Sequence, residues 1–483
     1  MKKILWGFLV LMVCCPLSLW AQKQLSFKNG KFKIAQFTDI HWDEKTENCA
    51  RTIASIQAVI KAENPDIAML TGDVVTARPS VEGWKSVIKI FEDAKLPYTV
   101  MMGNHDAENL DKDSIYDLLA TSPYFIGEKG PKDIYGVGNY VVPVYGSKGG
   151  NKPSALLYCL DSNDYPKNQM NYGGYDWIHF DQIAWYREQS TNFTKANGGK
   201  PLPALAFFHI PLLEYNQVIG AETTLGRKEE DGVGSPNINS GFFTSLIEMG
   251  DVMGTFCGHD HVNDYIGIQN NIALAYGRVS GWDAYGDFER GGRIIELTEG
   301  EYAFDSWIRT PTKREYTYYY PSGLTSKDEE SMTYLPAKKE TPNKQGVAYT
   351  YYEGKVKHTD QIASLKKMKE GTMQNISIKD AAAEDHFAYV FRTWVKIPER
   401  GVYRFYSYSD DGSKLLIDGQ TVVDNNGSHS AAPKKGKVAL EAGYHELTVL
   451  YFEDYMGESL EVGISSKHIK EMALPAEMLY LPR

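Results

Sequence analysis

Between residues 31 and 261, six short apolar runs each break off at a side chain able to bind a metal or carry a proton. The runs are "FKIAQFTDIH", "DIAMLTGDVV", "PYTVMMGNHD", "ALLYCLDS", "ALAFFHIP" and "VMGTFCGHDH". Their aliphatic and β-branched content reads as buried strands. They end in Asp39-Ile40-His41, Gly72-Asp73, Gly103-Asn104-His105-Asp106, Leu160-Asp161, His209 and Gly258-His259-Asp260-His261. Helical spacing separates several of them: Asn48 to Ala62 through Ile53, Ile56 and Ile60, then Trp84 to Phe91, Asp181 to Glu188 and Phe242 to Met249. Such alternation places helices over a central sheet. Ligands in open sheets gather beyond the carboxyl ends of the strands, so these loops can converge on one crevice. Alternation along an extended segment would put Asp39 and His41 on one side, and His259 and His261 likewise.

Of the eleven histidines, five (His41, His105, His209, His259 and His261) sit at these strand ends. Taken singly, each feature is ordinary: a histidine capping a strand, a Gly-Asp turn, a "GNHD" turn. Five loops of oxygen and imidazole groups at one sheet edge are better explained as a metal site. A structural site would be closed with sulfur or imidazole, whereas this set leaves room for water and phosphate.

At 483 residues the chain calls for two or more domains, and 42% hydrophobic with 23% charged residues suits globular cores. "MKKILWGFLVLMVCCPLSLWAQ" carries two lysines, an apolar run and a small residue at Ala21, the pattern of a secretory signal over 1–21. The expected protein is secreted or periplasmic. Lipoprotein anchoring through Cys14 or Cys15 is disfavoured by the bulky Val13 and Cys14, and no other segment reaches spanning length. Removing Lys2 and Lys3 from the 51 basic residues leaves 49 against 62 acids, a net charge of −13. That balance repels polyanions and excludes nucleic-acid binding as the main task. Cys49, Cys159 and Cys257 remain, allowing one disulfide at most; Cys159 and Cys257 end apolar runs and read as buried small hydrophobes.

The series Asp-x-His, Gly-Asp, Gly-Asn-His-Asp, His and Gly-His-x-His resembles the calcineurin-like metallophosphoesterase family over residues 31 to 300. "FFHIPLLEY" and "CGHDHVND" are most similar to its purple-acid-phosphatase-like branch. The resemblance implies an α+β fold, a four-layer α/β/β/α sandwich over 24–308. It implies one metal at Asp39, His41, Asp73 and His261, and a second at Asp73, Asn104, His209 and His259, with Asp73 as the bridge. His105 would not ligate but would assist the departing oxygen. The implied activity is hydrolysis of phosphate mono- or diesters by water activated between two ions, with no covalent enzyme intermediate. Thr76 stands where purple acid phosphatases carry a colour-giving tyrosine, and His41 where they carry another residue, so no purple colour is expected. Mixed nitrogen and oxygen donors suit Mn, Fe or Zn. Arg227, Lys228, Arg278 and Trp282, in polar segments after the last ligands, are the candidate substrate contacts.

Residues 309–345 are polar and proline-rich and read as a linker, with one short strand at Tyr316–Tyr320. From 346 to 483 short strands with glycine turns indicate a separate all-β sandwich. "GVYRFYSYSDDGSKLLIDGQTVVDNNG" and the closing "ALPAEMLYL" resemble the PA14 domain of anthrax protective antigen. That resemblance implies a possible targeting module, with Asp410 and Asp411 as candidate ligands for calcium against a glycan; the simpler reading of "DDGS" is a tight turn. Two functions therefore compete. One is an exported phosphohydrolase with a targeting module, and the other is a glycan-binding surface protein whose phosphoesterase domain is inactive or secondary.

Overall fold

Two sheets stacked face to face carry the N-terminal domain in the computed structural model, which describes residues 24–221, 223–228 and 232–482. The expected secretory signal over 1–21 lies outside the described residues. In chain order the elements are β1 (Lys31–Phe37), α1 (Asn48–Glu63), β2 (Ile67–Thr71), α2 (Ser80–Ala94), β3 (Tyr98–Met101), α3 (Lys112–Leu119), β4 (Tyr140–Tyr145) and β5 (Pro153–Cys159). They continue with α4 (Gln169–Tyr172), α5 (Phe180–Ala196), β6 (Ala204–Phe207), α6 (Tyr215–Val218), α7 (Phe242–Met249) and β7 (Val252–Cys257). The domain closes with β8 (Ile266–Gln269), β9 (Ile272–Tyr276), β10 (Gly292–Thr298), β11 (Phe304–Arg309), β12 (Arg314–Tyr320) and β13 (Leu324–Thr325).

One sheet has the order β13-β12-β11-β10-β1-β2-β3 and the other β4-β5-β6-β7-β9-β8. Within them β1, β2 and β3 run parallel, as do β5, β6, β7 and β9. All six predicted runs therefore deliver their carboxyl ends from the parallel parts of the two sheets, where helical crossovers return the chain. The sheets share one core: Phe256 packs on Phe304 at 5.8 Å, and Gln36 donates across the gap to the Cys257 carbonyl at 2.9 Å. Ile56 and Val59 of α1 with Trp84 and Phe91 of α2 join that core from outside the first sheet. Ile183 and Tyr186 of α5 with Phe242 and Leu246 of α7 form a second core over the other. The result is the expected four-layer arrangement, with a β-rich domain after it. Among the described residues Cys49, Cys159 and Cys257 are unpaired, Cys159 and Cys257 buried and Cys49 half-buried. Among the described residues no helix is long and apolar enough to cross a membrane.

The segment expected to be a linker over 309–345 is structured. β12 pairs with β11 and β13 with β12, extending the first sheet to Thr325. α8 (Ser326–Ser331) follows, capped by Thr325, whose hydroxyl accepts from the Asp328 N–H. The strand expected at Tyr316–Tyr320 is the C-terminal part of β12, whereas β13 and α8 went unread in the polar stretch. β14 (Tyr334–Leu335) already belongs to the second domain.

That domain comprises β15 (Val347–Glu353), β16 (Lys366–Met373), β17 (Phe387–Ile397), β18 (Gly401–Asp410), β19 (Ser413–Ile417), β20 (Gln420–Asn425) and β21 (Ala432–Leu440). It ends with β22 (Gly443–Glu453), β23 (Ser459–Ser466), β24 (Met472–Ala473) and β25 (Leu479–Tyr480). Sheets of order β14-β21-β18-β23-β24 and β16-β15-β17-β22-β19-β20, the latter with β25 beside β17, enclose a core around Phe391, Phe405 and Tyr451. The domains touch: Tyr319 and Leu324 pack with Val402 and Ala439, Lys437 meets Asp328 at 2.8 Å, and Arg404 donates to the Ser322 carbonyl.

Candidate dinuclear metal centre

The strand-end loops do meet. Ligand-type atoms of Asp39, His41 and His261 lie within 4.8 Å of one another, and those of Asp73, His209 and His259 do the same. The first group joins the loops after β1 and β7, and the second joins the loops after β2, β6 and β7. Asp73 also reaches the first group: its Oδ2 is 3.2 Å from His209 Nε2 and 3.6 Å from His41 Nε2. His261 Nε2 is 3.3 Å from Asp39 Oδ1, and His259 Nδ1 is 3.3 Å from His209 Nε2.

The local backbone differs from the extended segments expected. Asp39, His41, Asp73 and His259 all have left-handed φ, at 49°, 46°, 49° and 81°. Non-glycine residues held there cost free energy and cluster at functional sites. The turns, not strand alternation, aim these side chains. Asp39 and His41 still converge, while His259 and His261 diverge to separate groups, and the "GHDH" sequence serves both. Two glycines permit the approach: a Cβ on Gly103 would collide with Asp73, and one on Gly258 with Thr38 and Asp39.

Several hydrogen bonds fix the donors. The His209 Nδ1 lies 2.7 Å from the Thr71 carbonyl, which leaves Nε2 for the site. The His259 N–H donates to Asp39, and the His105 N–H donates to Asp73 Oδ1 at 2.9 Å. Asp106 accepts from the N–H groups of Val74, Val75 and Gly103 at 2.8, 3.1 and 2.8 Å, tying the loop after β2 to the loop after β3. Asn104 Nδ2 donates to the Tyr165 hydroxyl at 3.1 Å, so its Oδ1 is the atom left over. That Oδ1, His41 Nε2 and His261 Nδ1 are buried without a hydrogen-bond partner. Buried polar atoms without a hydrogen-bond partner carry a desolvation cost that coordination to a cation removes, and the mixed oxygen and nitrogen set suits Mn, Fe or Zn.

Electrostatics agree. Burial opposes ionisation of Asp39, but His261 keeps its carboxyl below the usual range; burial also opposes ionisation of Asp73, which His209 and His41 hold well below it. Burial likewise disfavours charge on His209, yet Asp73 outweighs it and lifts the imidazole to about 10. His41 is raised against burial by the same carboxylate. Burial and the neighbouring His209 push His259 down to about 3. Protons on His209 and His41 thus supply the positive charge that these carboxylates demand, a place a metal would take.

Other predicted residues fall outside the two groups. His105 is partly exposed, its Nδ1 2.7 Å from Glu108 Oε1 and its ring 5.8 Å from that of His41. Asp161 pairs with Lys112 at 2.9 Å, and Asp260 accepts from Tyr276 and the Gly234 N–H. Of the expected substrate contacts, Arg227 and Lys228 are exposed and Arg278 is buried. Arg278 is 2% exposed and bound between Asp264 at 2.6 Å and Glu315 at 2.8 Å, so it braces the fold. The Arg227 guanidinium lies over Phe288 at 4.2 Å, Lys228 donates to the Ile219 carbonyl, and Trp282 donates to Ser55 beneath Arg51. Sequence reasoning gave Asp106, which closes "GNHD", no role of its own, and missed three tyrosines around the groups: Tyr165, Tyr175 and Tyr285. A tyrosine carries no spacing signal of its own.

In the second domain, Asp410, Asp411 and Glu453 form another close acidic group. Asp411 and Gly412 form the short link from β18 in one sheet to β19 in the other.

Two sheets whose strand ends bring two carboxylates and four imidazoles into adjoining groups define the dimetal phosphoesterase class of fold. The family model for calcineurin-like phosphoesterases matches residues 32–263, and that for the PA14 domain matches 343–475. "Probable inactive purple acid phosphatase 29" of Arabidopsis thaliana is 35% identical over 327 residues, covering 60% of this chain and 83% of that protein. "Phosphatase DCR2" of Saccharomyces cerevisiae is 31% identical over 353 residues, covering 66% of this chain and 60% of that protein. A solved dimetal phosphatase from Danio rerio aligns at a TM-score of 0.44 and 12% identity, over 59% of this chain and 98% of that one. The chain belongs to the calcineurin-like phosphoesterase family, among purple-acid-phosphatase-like relatives, and carries a C-terminal PA14 domain.

Proposed function

We propose that the protein is an exported phosphohydrolase that cleaves phosphate esters at a two-metal centre. One metal is held by Asp39, His41, Asp73 and His261, the other by Asp73, Asn104, His209 and His259. The observation that carries this reading is a pair of adjoining ligand groups, Asp39–His41–His261 and Asp73–His209–His259, with Asp73 Oδ2 3.6 Å from His41 Nε2 and with Asn104 Oδ1 and His41 Nε2 buried without hydrogen-bond partners. Two bound ions would activate water and offset the charge of the phosphate oxygens. The chain's own contribution is positional. The left-handed turns fix Asp39, Asp73 and His259, while Asp106 couples the loop of Asp73 to the loop of Asn104 and His105. His105, steadied at Nδ1 by Glu108, protonates the departing oxygen as the phosphorus–oxygen bond breaks. The leader-like residues 1–21 support export.

The test is to measure bound Mn, Fe and Zn in the purified protein, then to compare hydrolysis of para-nitrophenyl phosphate with its bis ester. Two metals per chain and turnover of either ester are expected. Full metal with neither ester cleaved would favour the second reading, a glycan-binding protein with a retired hydrolase. One observation supports that alternative: Glu453, fully buried beside Asp410 and Asp411, leaves Oε1 without a hydrogen-bond partner, which suits a calcium site. Calorimetry of the full chain with calcium and glycans checks it.

A further inference from the structure

Three tyrosines surround the metal groups, and each touches a proposed ligand. The Tyr285 ring lies on His261, with centroids 3.9 Å apart and planes 25° apart, yet the residue is 56% exposed. Tyr175 meets the His259 ring edge-on at 4.3 Å. Tyr165, 40% exposed, accepts from Asn104 and lies 5.8 Å from Tyr175 with the rings inclined at 30°. Both of the last two come from the segment between β5 and α5, and Tyr285 comes from the loop before β10. Arg278 is bound between Asp264 and Glu315, and the contacts found on the proposed ligands come from aromatic residues.

We propose that Tyr165, Tyr175 and Tyr285 form a rim that binds a ring carried by the alcohol portion of the ester, so that the favoured substrates are phosphate esters of ring-bearing alcohols. This rests on the hydrolase reading above. A phosphate seated at the ligand groups places its ester substituent among these rings, at separations where flat groups stack or pack edge-on. Flat aromatic rings and the apolar faces of pyranoses share this chemistry, because both offer a planar, weakly polar surface to tyrosine.

The test compares benzyl phosphate, glucose 6-phosphate and n-propyl phosphate on the metal-loaded full chain. All three leave as primary alcohols, so leaving-group chemistry is nearly matched. At least one ring ester should exceed the propyl ester about tenfold in kcat/KM, the size of a favourable ring contact. The benzyl arm reports an aromatic ring and the glucose arm a pyranose. Tyr285→Ala and Tyr175→Ala should bring the ratio below about threefold, while Tyr285→Phe should keep it. Binding of benzylphosphonate and propylphosphonate, measured by calorimetry on the unmutated protein, gives a readout independent of turnover and of variant folding. Equal constants for all three esters, or a ring preference that survives both alanine variants, would overturn the rim. If no ester turns over, the hydrolase reading fails, and calorimetry still decides the rim, with glucose 6-phosphate as the uncleaved pyranose ligand: affinities of both ring ligands equal to that of propylphosphonate overturn it, and a tenfold advantage of either supports it.

Discussion

Removing the Asp106 carboxylate should loosen the metal centre without touching a proposed ligand. The side chain is 1% exposed and accepts three backbone N–H groups, from Val74, Val75 and Gly103. Hydrogen bonds to a charged acceptor contribute about 1.5–3 kcal/mol each, but burial and the Asp73 charge push this carboxyl up to about 6, so part of that gain is offset. Asp106→Ala leaves three N–H donors near the site without their acceptor, and a net loss of about 2–4 kcal/mol is expected. Asp73 directly precedes Val74, and Asn104 and His105 directly follow Gly103. Freeing these loops should weaken metal binding about 10- to 100-fold, as for other residues that orient ligands. Urea unfolding of the metal-free protein measures the first quantity and competition with a calibrated chelator the second. Stability within about 0.5 kcal/mol of the parent, together with unchanged metal affinity, would refute the role given to Asp106.

Three further outcomes follow from the same geometry. His105→Ala should lower kcat about 10²- to 10⁴-fold with metal content unchanged, which elemental analysis beside steady-state kinetics will separate from ligand loss. Arg278→Ala should destabilise the fold by about 3–5 kcal/mol by leaving Asp264 and Glu315 without their buried partner, while KM of the folded fraction stays the same; a raised KM at unchanged stability would restore it as a substrate contact. If the second domain holds calcium, Asp411→Asn should abolish the calcium-dependent rise in melting temperature seen in the unmutated chain.

The strand ends were legible because buried strands have little reason to stop at Asp39, Asp73, His209 or His259 unless those side chains meet. Apolar content also marked the parallel strands, which are buried on both faces and so read as continuous runs. Less legible was what polar or aromatic composition conceals. Within the stretch that looked like a linker the tyrosine-rich strand at Tyr316–Tyr320 was read, but α8 was not, since a capped, charged six-residue helix shows no hydrophobic period. The reading of Arg278 failed for a different reason. A charged residue in a polar loop resembles a surface residue until its partners, Asp264 and Glu315, arrive from distant positions. The left-handed turns at Asp39, His41, Asp73 and His259 were equally hidden, because neighbouring glycines hint at tight backbone but do not specify φ.

The central claim is that two cations share Asp73, and metal stoichiometry in Asp73→Asn tests it most directly. The unmutated chain should hold two Mn, Fe or Zn ions, and the variant, which keeps the shape but loses the shared charge, should hold fewer than one and lose most turnover. Two tightly held metals in Asp73→Asn with near-parental kcat would contradict the account.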